Sequence, residues 1–137
     1  MDYGIKAALL QKMQEIRREI AELKEQIRKA QTLIRQYTLC QKSIQGNLES
    51  WDEQRACYGQ IWLALVKREN YFEGYTTDRV EIKLLDTIDN MDKAAQKAGG
   101  VLPGIQAQIT MLEELIETLE QQIRKLEEEL AALQEGL

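Results

Sequence analysis

Histidine is absent from this 137-residue chain, and proline occurs once, phenylalanine once and cysteine twice. Without histidine there is no imidazole metal ligand, no imidazole general base and no His-containing triad. Two cysteines, Cys40 and Cys57, are too few for a disulfide framework in a chain of this size. On one helix their 17-residue spacing corresponds to roughly 25 Å, too far for a bridge, so they read as buried free thiols. The longest purely apolar run, IWLALV at 61–66, is far short of a bilayer span. The N-terminal MDYGIKAALLQKMQ lacks the basic-then-apolar layout of a signal peptide, so a cytoplasmic protein is expected. Acidic residues outnumber basic ones, 23 to 18. The net charge of -5 argues against nucleic acid, whose phosphates need a basic surface.

What the chain has is helical periodicity. Hydrophobic residues make up 44% and charged residues 30%, a balance that suits a soluble helical protein and argues against disorder. In the N-terminal arm, Met13, Ile20, Ile27 and Ile34 occupy heptad position a, and Leu9, Ile16, Leu23, Ala30 and Tyr37 occupy d. In the C-terminal arm, Ile109, Ile116, Ile123, Leu130 and Leu137 are at a, and Ile105, Leu112, Leu119, Leu126 and Leu133 are at d. Sustained a/d repeats with charged flanks indicate a coiled coil.

Charge suggests which arm pairs with which. Residues 6–37 carry eight basic and four acidic side chains, net +4; residues 105–137 carry eight acidic and two basic, net -6. Self-pairing of either arm sets like charges together, whereas pairing the two arms sets opposite charges together. Ile at a with Leu at d is also the composition of a parallel dimer, so pairing between chains remains the alternative, and a homodimer stays open.

Three stretches interrupt the pattern. NYFEGYTTD at 70–78 holds Gly74, which permits a backbone reversal, followed by Thr76 or Thr77 as a helix cap with Asp78 in the first turn. QGNLESWDE at 45–53 combines a helix-stopping Gly46 with the capping box Ser50-x-x-Glu53. AGGVLPGI at 98–105 combines Gly99 and Gly100 with Pro103, which suits a first helical position. The last two breaks lie almost equally far from the first. The expected fold is therefore all-α: a long antiparallel helical hairpin with its turn at 72–75. A coiled-coil stalk pairs 5–44 with 104–135. An aromatic-rich head pairs 51–69 with 77–98, and a hinge or kink crosses both arms between them.

The head carries the functional expectation. Trp51, Tyr58 and Trp62 recur at heptad-like spacing opposite Leu84, Leu85, Ile88, Met91 and a run of alanines, which is what a core looks like. Ile61 to Val66, however, is apolar on every face of the helix, and such a segment wants burial all round. Trp51, Tyr58, Ile61, Trp62, Leu65 and Val66 are therefore the candidate partner-binding residues, since exposed apolar and aromatic surface marks interaction sites. Catalysis has no candidate. Asp86, Asp89 and Asp92 read as a solvated acidic face rather than a metal site, and GGVLPG lacks the Lys-Ser/Thr of a phosphate loop. No enzyme, cofactor, metal or membrane insertion is expected.

The turn motif Phe72-Glu73-Gly74, followed by YTTDRV, resembles the W-x-G turn of the type VII (ESX) secretion superfamily of Gram-positive bacteria, with Phe in place of Trp. The charged coiled arms and Trp51 resemble the helical partner proteins associated with LXG toxins. That resemblance implies a non-enzymatic adaptor or targeting chaperone that binds the helical N-terminal domain of an LXG toxin, with a second small helical hairpin as a further partner. The family's export signal places an acid four residues after an aromatic. Phe72 has Thr76 there, and none of Tyr3, Tyr37, Tyr58, Tyr71 and Tyr75 has an acid. The resemblance thus implies co-export on a partner's signal or a role inside the cell. The competing expectation is a structural coiled coil that self-associates through the head.

Overall fold

A computed structural model describes residues 2–67 and 75–137. The expected turn residues Phe72, Glu73 and Gly74 lie outside the described residues. The fold is all-α: helix α1 spans Asp2–Lys67 and helix α2 spans Tyr75–Glu135, and the two pack against each other as a helical hairpin. Thr76 and Thr77 fall inside the first turn of α2 rather than ahead of it.

The chain forms two compact units: residues 1–38 with 107–137, and residues 39–106. In the first, the oppositely charged arms pair within one chain. Ile16, Ile20 and Ile123 form the buried cluster, with Leu23, Ile27, Leu126, Leu130 and Leu133 packed against it. Met13, Ala30, Ile109 and Leu119 are also buried. Every a and d residue of this unit from Leu9 on is buried or half-buried except Leu137, the last residue of the chain. Burial of a large aliphatic side chain contributes roughly 1.5–3 kcal/mol, so this seam is the main store of stability. The flanking Lys12 and Glu129, both at g, meet across it at 3.7 Å (Nζ to Oε1). Both are solvated, so the pair contributes more to partner choice than to stability.

In the second unit the two predicted breaks are absent, which corrects the expectation of helix ends at 45–53 and 98–105. Helix α1 passes through Gly46 and Ser50, and α2 through Gly99, Gly100, Pro103 and Gly104; no described glycine has a positive φ. The reason lies in heptad phase. Counting on by sevens from Met13 and Leu9 brings Leu48 and Trp62 to a and Ile44, Trp51 and Tyr58 to d. Counting back from Ile109 and Ile105 brings Leu102, Ala95 and Ile88 to a and Ala98, Met91 and Leu84 to d. All of these are at least half covered, so the second unit has an apolar seam in the same heptad phase. The helix breakers fall elsewhere: Gly46 and Gly100 at f, Pro103 at b and Gly104 at c, all exposed. An interior Gly costs about 1 kcal/mol relative to Ala and a Pro about 3. Gly99 to Gly104 together therefore cost α2 about 6 kcal/mol, and in-phase packing on both sides offsets it.

Contacts in this unit set its register. Gln41 meets Gln106, Arg55 meets Asp92, and the Leu48 side chain lies beside Gly99, 4.0 Å from where a Cβ there would stand. Each pair of residue numbers adds to 147, so the pairing is symmetric about 73.5, inside the expected turn. In each pair an a residue of α1 faces an e residue of α2.

Truncation should distinguish seam from surface. Ile16→Ala or Ile123→Ala is expected to lower the urea-unfolding free energy by about 2–4 kcal/mol. Leu137→Ala is expected to stay within about 0.5 kcal/mol of the parent.

Candidate functional site: the apolar seam of the second unit

The second unit is held by a thinner core than the first. Among its described residues only Ile105 is buried. Not one seam residue from Ile44 to Trp62 or from Leu84 to Leu102 is. Trp51, Tyr58 and Trp62 sit on the seam as the heptad count requires, yet each remains half-exposed. Two helices present only two rows of side chains, and an indole is wider than the row facing it. By the register of this unit the small Ala95 and Ala98 are level with Trp51, whereas Tyr58 and Trp62 are level with Met91, Ile88 and Leu84.

Of the six expected partner-binding residues, Trp51, Tyr58 and Trp62 lie on the seam and keep part of their surface exposed. Ile61 is the exception: it lies beside the seam at position g, 46% exposed, and Leu63 is 52% exposed. The side chains of Leu65 and Val66 lie outside the described residues. Sequence reading missed the corresponding residues of α2: Ile82 is 60% and Leu85 47% exposed. Both stood in the sequence as off-seam apolar residues, at b and e, once the heptad count is carried back from Ile109. Ile61, Leu63, Ile82 and Leu85 all lie toward the ends of the helices nearest the chain reversal.

Two polar contacts interrupt the seam. The Gln41 side-chain amide donates to Gln106 Oε1 at 2.8 Å. Arg55, which stands where the repeat calls for an apolar residue, donates from Nε to Asp92 Oδ1 at 2.6 Å and from Nη2 to Oδ2 at 3.2 Å. The hydrogen bonds to Asp92, and then its charge, hold the Arg55 guanidinium more firmly protonated than usual. Both pairs are solvent-exposed, so they favour this alignment of the helices only modestly.

The same contacts dissolve the acidic row. Asp92 is engaged by Arg55, and Asp89 by Lys93 at 2.9 Å, an i, i+4 pair that raises the Lys93 pKa by hydrogen bond and charge. Among the described residues no group of three metal-ligating side chains converges, and no helix is long and apolar enough to cross a membrane. The hollows are shallow. One of about 210 Å³ lies in the first unit between Glu19 and Leu23 on α1 and Gln122, Lys125 and Leu126 on α2. Another is lined by α1 residues Arg28, Lys29, Thr32, Leu33 and Gln36.

Cys40 and Cys57 are exposed, not buried. The heptad count explains the correction: Cys40 falls at g and Cys57 at c, both off the seam.

Comparison with family models, curated proteins and solved structures finds no match.

Both thiols should react with a maleimide or aromatic disulfide in the native protein, two equivalents per chain without denaturant; protection of either would contradict the seam placement. For the ion pair, Arg55→Asp is expected to lower the thermal midpoint through like charge beside Asp92. Adding Asp92→Arg should recover most of the loss.

Proposed function

We propose that the chain is a non-enzymatic adaptor that binds another helical protein through its second unit. The specific partner proposed is the helical N-terminal domain of a type VII secreted LXG toxin, which the adaptor helps direct to the secretion machinery. The observation that supports an adaptor is the incomplete burial of the second unit. Trp51, Tyr58, Trp62 and the facing Leu84, Ile88 and Met91 are only partly covered, while Ile61, Leu63, Ile82 and Leu85 stand clear of the seam. A partner helix laid along this seam would wall the aromatic rows and remove that apolar surface from water, about 25 cal/mol for each Å² covered. Aromatic residues in such a position carry a disproportionate share of binding energy. The choice of partner rests on the likeness of Phe72-Glu73-Gly74 and of the charged arms to the LXG-associated proteins.

Self-association is the second reading, favoured by the same half-covered seam, since a second copy would wall it as well. Static light scattering separates the two: a monodisperse dimer of the isolated chain at micromolar concentration supports self-association, a monomer the adaptor.

Co-expression with an LXG-type domain should yield a co-purifying complex. Ile61→Asp and Leu85→Asp are each expected to weaken it at least tenfold by titration calorimetry. Leu115→Asp, an exposed position in the first unit, should leave it unchanged. Undiminished binding by both head variants would remove the second unit as the docking surface.

A further inference from the structure

The geometry points to a conformational switch built into the second unit: a pair of latent helix breaks, at one level, that are closed in the free chain and can open together. In α2, Gly99, Gly100, Pro103 and Gly104 lie within six residues of continuous helix. None is there for want of space. A Cβ at Gly100 or Gly104 would meet nothing within 4 Å, and at Gly99 it would only touch Leu48 Cδ1 at 4.0 Å. Alanine fits at all three positions and favours the helix. Pro103 cannot donate to the Gly99 carbonyl four residues back, and its ring crowds that carbonyl.

The segment is equally well written for a second conformation. Gly99 and Gly100 can end a helix in the left-handed conformation, and Pro103 is suited to the first turn of the next. Helix α1 carries the same pair of signals at the same level. Gly46 is a helix stop whose added Cβ would also meet nothing within 4 Å, and Ser50 with Glu53 forms a capping box that the continuous helix leaves unused. The Leu48 side chain lies 4.0 Å from where a Cβ on Gly99 would stand, so the two latent breaks are at one level. What holds them closed is the apolar seam on either side. The stop signals at Gly46, Gly100, Pro103 and Gly104 stand on the solvent face and take no part in it. Any partner that draws on the seam at Leu48, Trp51 or Leu102 shifts this balance toward the open form. The switch is a property of the free chain and stands whether or not the partner is an LXG toxin.

Hydrogen–deuterium exchange on the full chain, without partner, tests it. Amides of 100–107 should exchange at least tenfold faster than those of both 86–96 and 110–125, and 47–53 faster than 14–30. In the double variant Gly100→Ala, Gly104→Ala, exchange at 100–107 should slow about 25-fold, roughly fivefold per substitution. Exchange at 110–125 should stay unchanged. Slowing at 47–53 in the same variant would show that the breaks open together. Protection that is level along α2, or a double variant that leaves 100–107 unaltered, overturns the switch; unchanged exchange at 47–53 overturns the coupling.

Discussion

An unbroken heptad phase along each helix governs this protein. From Leu9 to Trp62 and from Leu84 to Leu133, almost every residue at a or d is at least half covered, with Arg55 the polar exception that finds Asp92 instead. The helices persist because each turn adds to the same apolar stripe, so a local penalty is outweighed by the rows before and after it. That is how α2 carries three glycines and a proline within six residues without ending. It is also why those residues are tolerated only at b, c, e and f. A glycine at a or d would remove a seam side chain as well as helix propensity.

The two units use that seam differently. In the first, isoleucine, leucine and methionine of similar size interlock and seven of them or their alanine neighbours become buried. In the second, large aromatics on α1 face alanines and medium aliphatics on α2, and the rows close only halfway. Gln41 with Gln106 and Arg55 with Asp92 add solvent-exposed polar pairs to this register, each a modest contribution. An aligned but incompletely covered seam suits a surface that another helix completes. It is also where a helix can yield without disrupting the main core.

The sequence made the fold class legible through periodicity, and the pairing of the arms through their +4 and -6 charges. The antiparallel sense was legible as well: the contacts of the second unit are symmetric about 73.5. The breaks were misread because Gly46, Ser50-Glu53 and Pro103 are local signals, weighed before the heptad was counted through them. The cysteines were misread for the same reason. Their residue type favours burial, but positions g and c decide the matter.

By itself, then, the sequence determined an all-α chain, the seam residues of both arms and the complementarity that favours their pairing within one molecule. These follow from periodicity and charge, which need no coordinates. Tertiary structure alone decided that α1 and α2 run unbroken through their helix-stopping signals, because only packing on both sides can outweigh them. It alone decided that Trp51, Tyr58 and Trp62 are only partly covered on the seam and how far Ile61, Leu63, Ile82 and Leu85 are exposed beside it. How far a side chain is covered depends on the size of its neighbour across the seam, which no single helix records.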